Sequence, residues 1–298
     1  MKVAVIAHAG KSLEGGLPQL RRALEAEGIS DPFWVEVPKS KKAPKQVRRA
    51  LAEGADVIFA WGGDGMVQRC VDALAGSGVS LAVIPAGTAN LFASNLGIPK
   101  DIEQAVAIGL RGDRREFDVG TFNGERFAVM AGVGFDAAMI RDSDSGGLKE
   151  RVGRAAYVWS GSSNLRSKPF RATIETDGVE WYKGKATCIL FGNVGKLVGG
   201  VEAFADARPD DGKLEVGVLT ADGMLDWTRM VARAVAGSIG DSPFAQETKA
   251  TRNIKVRLSR RVLYELDGGD RTKVKTVKVK VEPQAITVCV PSNSKGST

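Results

Sequence analysis

The 298-residue chain contains a single histidine, His8. A zinc site built on several imidazoles is thereby excluded. No G-x-S-x-G elbow accompanies His8, which disfavours serine-hydrolase chemistry. The three cysteines, Cys70, Cys188 and Cys289, lie far apart without C-x-x-C spacing. Neither a disulfide framework nor a metal knuckle is expected from them, and a reducing cytoplasmic compartment is. Aromatic residues make up 6% and are not interleaved with the basic ones, which argues against a base-stacking platform, so no nucleic-acid partner is expected. Long apolar runs are missing too. The uncharged run through Gly76–Pro99 is broken by Pro85, Gly87, Asn90 and Asn95, so a membrane-spanning helix is not expected there. The apolar Val3–Ala7 is too short for the core of a signal peptide.

What is present suits a folded protein of two modest domains: 43% hydrophobic and 26% charged residues rule out a disordered chain. Lys and Arg exceed Asp and Glu by 42 to 35, an excess that suits an anionic partner such as a nucleotide or an acidic membrane surface. Strand-like runs at Val3–Ala7, Phe33–Val37, Val57–Trp61 and Leu81–Pro85 alternate with helical periodicity. Val67, Cys70, Val71 and Leu74 share one helical face, and Pro44 fits the first turn of a helix that carries Val47, Ala50 and Leu51 inward. The rhythm predicts an α/β fold: an open three-layer domain over 1–121, with a mostly parallel sheet. Beyond it the pattern turns to short alternating strands, with a hairpin at Asp177-Gly178 and helices at Leu148–Trp159 and Met224–Val235. A β-rich, sandwich-like domain is expected over 122–291, followed by a mobile polar tail at 292–298.

Two loops carry the chemistry. The strand Val57–Trp61 ends in Gly62-Gly63-Asp64-Gly65 and runs into a helix near Met66; Leu81–Pro85 ends in Ala86-Gly87-Thr88-Ala89-Asn90 and runs into another. Ligands of open α/β sheets sit at the carboxyl ends of strands, where glycine lets amides approach phosphate and the helix dipole favours an anion. Asp64 is placed to orient Mg²⁺ or the attacking hydroxyl. Thr88 is placed either to bond phosphate or simply to cap the helix.

Gly62-Gly63-Asp64-Gly65 followed by Pro85-Ala86-Gly87-Thr88-Ala89-Asn90 resembles the catalytic domain of the diacylglycerol kinase family, in particular the soluble bacterial lipid kinases similar to sphingosine and ceramide kinases. Phe117-Asp118-Val119-Gly120, Gly132-Val133-Gly134-Phe135-Asp136 and Asp210-Asp211-Gly212 extend the resemblance over nearly the whole chain. It implies ATP and Mg²⁺ as cofactors and two domains between which ATP and a lipid substrate meet, with diacylglycerol giving phosphatidic acid. Gly62, Gly63, Asp64, Gly65, Met66, Gly87, Thr88 and Asn90 would line the nucleotide. Asp64 and Asp118 would serve the water-linked Mg²⁺ network. Asp211, aided by backbone carbonyls near Arg208 and Lys213, would hold a second metal.

The chain departs from the family pattern at three places. Met66 stands where a threonine is usual, which removes a hydroxyl for phosphate. Leu266-Asp267-Gly268-Gly269-Asp270 has glycine where the family has its glutamate base, leaving Asp270 as the candidate base. His8-Ala9-Gly10-Lys11-Ser12 replaces an Asn-Pro-x-Ser-Gly loop. An NAD-kinase-like enzyme and a non-catalytic lipid or nucleotide binder stand as alternatives. Lys273, Lys275, Lys278 and Lys280 alternate with valines near Arg252, Lys255, Arg257, Arg260 and Arg261, so peripheral contact with an anionic membrane is expected. A homodimer is also allowed.

Overall fold

The computed structural model describes residues 1–134, 169–196, 203–221, 226 and 245–292. They form two compact units, Met1–Phe117 with Gln284–Thr298, and Asp118–Pro283. The helices expected at Leu148–Trp159 and Met224–Val235 (Asp226 apart), residues Phe135 and Asp136, and the tail from residue 293 lie outside the described residues.

In the first unit, β1 (Val3–His8), β2 (Phe33–Val37), β3 (Val57–Gly62) and β4 (Ser80–Pro85) pair in parallel in the order β2-β1-β3-β4. Strands β3 and β4 are buried along their whole length, as continuous apolar runs covered on both faces must be. The helices are α1 (Gly16–Ala26), α2 (Ala43–Ala52), α3 (Asp64–Leu74), α4 (Leu91–Asn95) and α5 (Ile102–Arg111). Helix α2 packs with α3 and α1 with α5. With this strand order, right-handed crossovers put the two pairs on opposite faces, which completes the three layers. The predicted stripe is buried: Val67, Cys70, Val71 and Leu74 of α3 are all at or below 3% exposure, each aliphatic side chain contributing roughly 1.5–3 kcal/mol by leaving water.

The second unit is antiparallel. It takes β5 (Asp113–Phe122) from Asp118 onward, then β6 (Glu125–Phe127), β7 (Met130–Val133), β8 (Phe170–Thr176), β9 (Val179–Ala186), β10 (Cys188–Gly192), β11 (Leu214–Leu219), β12 (Ala245–Thr251), β13 (Asn253–Leu266) and β14 (Gly269–Val290) up to Pro283. The order is β12-β11-β10-β7-β13-β14, with β8 also on β13 and β9 on β8. One sheet face closes on Phe122, Phe127, Phe191, Ile174, Val256 and Val277. The Asp177-Gly178 hairpin forms as expected, both residues at positive φ, the geometry of a type I′ turn.

Two details differ from the sequence pattern. Where short strands were expected, Asn253–Leu266 is one long strand, β13, with an irregular register between Arg257 and Val262. The end of β14 belongs with the first unit: Thr287 and Val288 pair in parallel with Ser80 and Leu81 of β4. Periodicity marks a strand but not its neighbour, and that pairing joins residues some two hundred positions apart.

Candidate functional site

The site residues of the first unit lie where β1, β3 and β4 end. Gly62 and Pro85 are register partners, so the loops after β3 and β4 leave the sheet side by side. The Ala86 N–H donates to the Gly62 carbonyl at 3.0 Å. Gly63 and Gly87 then touch: a β-carbon on Gly87 would lie 2.3 Å from the Gly63 Cα. Only glycine at 87 permits that approach.

Asn90 holds the second loop rather than reaching outward. It is buried, adopts the left-handed conformation and stands at the N-cap position of α4, where its side chain makes no cap bond. Its Oδ1 accepts the Gly87 N–H at 2.9 Å, and its Nδ2 donates to the carbonyls of Pro85 (3.1 Å) and Gly87 (2.8 Å). Asp64 joins the two loops, its Oδ1 accepting the Phe92 N–H at 3.1 Å. Burial pushes its carboxyl above the ordinary range, against the backbone N–H bonds of Phe92 and Leu91. Thr88 makes no cap to α4; it is half-buried, and its carbonyl accepts from Lys100 Nζ at 3.0 Å. The side-chain bond to the first turn of α4 comes from Asp64 and not from Thr88.

Met66 turns inward, 2% exposed, with its Cβ only 2.6 Å from where a Gly62 β-carbon would stand. Its N–H is taken by the Gly63 carbonyl at 2.8 Å. Neither the side chain nor the amide of Met66 is available to a phosphate, which corrects its placement among the ligand-binding residues. The amides of Gly63 and Gly65 have no hydrogen-bond acceptor among the described residues, and they stand at the start of α3, whose N-cap Gly63 supplies no side-chain cap. Beside them, Trp61 Nε1 donates to the Lys11 carbonyl at 3.1 Å and His8 Nδ1 accepts the Gly10 N–H at 3.1 Å, so the loop after β1 is also held. Lys11 itself is exposed.

In the second unit Asp118 is 2% exposed. Its Oδ2 accepts the Gly212 N–H at 2.6 Å, and its own N–H donates to the Pro209 carbonyl at 2.7 Å. The structure thus brings Asp118 and the Asp210-Asp211-Gly212 loop together. Asp211 is exposed, and its Oδ1 accepts the Lys213 N–H at 3.0 Å, an ordinary turn bond; Arg208 and Lys213 are exposed as well. Among the described residues no group of three or more His, Cys, Asp or Glu side chains is placed to hold a metal. The expected site at Asp211 is of another kind, one carboxylate with backbone carbonyls near Arg208 and Lys213, and here Asp211 and Lys213 are joined in a hydrogen-bonded turn.

Asp270 is exposed, while two residues that the sequence reading passed over are buried beside it. Asp267, at 4% exposure, accepts the N–H groups of Ala128, Val129 and Met130 at 2.8, 2.9 and 2.9 Å. Glu265 is fully buried. Asn193 was also missed: its Nδ2 donates to the carbonyls of Asp118 and Ala128, both at 2.9 Å. Asp267 is a turn residue at positive φ just past the end of β13, so strand alternation does not place it on the face of Glu265, and nothing local marks Asn193.

Residues 2–122 match the model of the "Diacylglycerol kinase catalytic domain", and residues 129–290 match the "YegS C-terminal NAD kinase beta sandwich-like domain". The chain is 33% identical over 231 residues to a diacylglycerol kinase of Bacillus subtilis strain 168, covering 76% of this chain and 75% of that one. It is 30% identical over 263 residues to the "Probable lipid kinase YegS-like" of Pseudomonas fluorescens Pf-5, covering 85% and 83%. A crystal structure of a diacylglycerol kinase from Bacillus anthracis Sterne shares the fold, with a TM-score of 0.73 at 21% identity over 97% of this chain and 96% of that one.

Proposed function

Because the chain belongs to the lipid kinase family in which a diacylglycerol kinase catalytic domain precedes a YegS-type C-terminal domain, we propose that it transfers the γ-phosphoryl group of ATP to a lipid hydroxyl, with diacylglycerol as acceptor and phosphatidic acid as product. The observation that carries this reading is the pair of locked glycine loops at the ends of β3 and β4, with the amides of Gly63 and Gly65 open at the start of α3. An α-helix N-terminus with open amides suits a phosphate group. Gly62, Gly63, Gly65, Gly87 and Thr88 then surround the nucleotide phosphates, Asn90 holds the loop after β4 in shape, Asp64 ties the loop after β3 to the start of α4, and Asp64 adds a negative charge that orients the phosphate's counter-ion. Phosphoryl transfer needs positioning and charge neutralisation more than covalent help. Mg²⁺ carried on the ATP phosphates would supply that neutralisation.

The lipid presents itself at a membrane surface, and the outer side of the second unit suits an anionic one. Lys255, Arg257, Lys278 and Lys280 are exposed and alternate with buried Val256, Val277 and Val279. Incubation with radiolabelled ATP and vesicles containing diacylglycerol tests the reading: label in phosphatidic acid supports it. NAD is the competing acceptor, since the matched C-terminal model is described as NAD kinase-like. Label in NAD without any lipid would replace the lipid-kinase reading.

A further inference from the structure

Within the first unit, the chain between α4 and α5 folds back onto the loop after β4. Gly97, at φ 71, closes α4. Ile98 then turns inward at 5% exposure, its N–H on the Ala93 carbonyl at 2.9 Å. Two residues on, Lys100 stays exposed. Its Nζ donates to the Thr88 carbonyl at 3.0 Å, twelve positions back, which seats the ammonium on the main chain of that glycine loop. The neighbouring Asp101 is engaged elsewhere: its Oδ1 accepts the Gln104 N–H at 2.7 Å as the N-cap of α5. Among the described residues Lys100 forms no ion pair.

The loop that holds this ammonium has used its acceptors and kept donors. The carbonyls of Pro85 and Gly87 are taken by Asn90 Nδ2, and the Thr88 carbonyl by Lys100 itself. The N–H groups of Thr88 and Ala89 have no acceptor among the described residues, and both residues are only half-buried. Across the contact between Gly87 and Gly63, the amides of Gly63 and Gly65 are open as well. A cation beside successive open amides recognises an anion and repels another cation. Phosphate oxygens only accept, and lysine meets them as a point charge.

We propose that Lys100 is a phosphate ligand of the bound nucleotide, a residue from outside both glycine loops that brings them a positive charge. The proposal rests on the nucleotide reading above. One N–H of the ammonium stays on the Thr88 carbonyl, and the other two, with the charge, turn to the phosphate chain of ATP. Because Lys100 is exposed, ATP meets it without any opening of the fold. An isolated exposed ion pair is weak in water. Here the ammonium is already seated on the loop, and open amides share the same anion, so less ordering is needed on binding. Met66 brings no donor to that anion, its amide being taken by the Gly63 carbonyl. A lysine that merely tied the loop to the α4–α5 connection would need only an N–H donor, whereas a phosphate ligand needs the charge.

The test is ATP binding to the full chain without lipid, by titration calorimetry at low and high salt, with a melting curve for each protein. Lys100→Gln keeps an N–H donor and removes the charge; Lys100→Arg keeps both. The glutamine variant should melt with the parent and bind ATP roughly fivefold to tenfold more weakly at low salt. Its affinity should also fall less steeply than the parent's as salt rises. Lys100→Arg should recover most of the parent's affinity. A Lys100→Gln protein with the parent's affinity and salt dependence overturns the proposal. So does a Lys100→Arg protein as weak as the glutamine variant, since charge would then not be what counts. A loss confined to Lys11→Gln would move the charge to the loop after β1 and overturn it too. A parent that binds no ATP removes the nucleotide reading, and the proposal with it, which distinguishes that failure from a parent that binds ATP and is indifferent to residue 100.

Discussion

The Asp64 carboxylate, by accepting the Phe92 N–H, ties the loop after β3 to the start of α4 and leaves one negative charge beside the open amides of α3. Asp64→Asn keeps an acceptor in place and removes the charge. The variant should fold and bind ATP within a few-fold of the parent, while phosphoryl transfer falls by roughly a hundredfold or more. A melting curve with steady-state assays checks this, and near-normal turnover in folded protein would refute the charge's role. Glu265 makes a separate prediction about stability. Folding raises its carboxyl from 4.5 to about 8, so across that interval the folded chain holds a proton that the unfolded chain has released. Stability must then fall as pH climbs from 4.5 to about 8, by up to about 1.4 kcal/mol per pH unit from this group. Urea unfolding at several pH values should show the decline, and Glu265→Gln should flatten it; an unchanged slope in the variant would mean that other groups carry it. Met66 was expected to weaken nucleotide binding by lacking a hydroxyl. Its side chain is buried under Gly62, so Met66→Thr should leave a void and strand a hydroxyl, lowering stability by roughly 1–3 kcal/mol in a chemical melt without tightening ATP binding.

At the level of elements, the loops after β3 and β4 work as one piece because Gly63 and Gly87 touch. Gly87→Ala would set a β-carbon 2.3 Å from the Gly63 Cα, so the loops must part. Overpacking of this kind costs roughly 1–3 kcal/mol, and ATP affinity, measured by titration calorimetry, should fall by roughly tenfold or more. Retained affinity would show that the loops need not touch. The turn between β13 and β14 is another such piece. Asp267 accepts three successive N–H groups of residues 128–130, and bonds from a carboxylate to backbone amides are stronger than neutral ones. That turn reads in sequence as a plain Asp-Gly hairpin, but its carboxylate fastens a segment far away along the chain.

For the whole molecule, the membrane contact proposed for the basic outer side of the second unit would be an electrostatic matter. Sedimentation with vesicles rich in anionic lipid should be strong at low salt and fall steeply as ionic strength shortens the screening length, while neutral vesicles should retain little protein. Equal binding to both vesicle types at every salt concentration would dismiss the basic surface as a docking face. The sequence by itself determined the class of each half, the four parallel strands, the Asp177-Gly178 hairpin and the two glycine loops. These are local matters, because periodicity, turn residues and backbone freedom act over a few positions. Only the tertiary structure decided which polar groups are consumed in holding the loops and which are left over. Asn90 and Asp64 lock loops, Asp118 fastens the loop at Gly212, Met66 fills space, Asp270 faces solvent, and Glu265 retains an oxygen unpaired among the described residues. The Asp64–Phe92 and Asp118–Gly212 bonds join residues dozens of positions apart, and the burial of Met66 and Glu265 comes from packing by distant segments, neither of which is written in the neighbouring sequence.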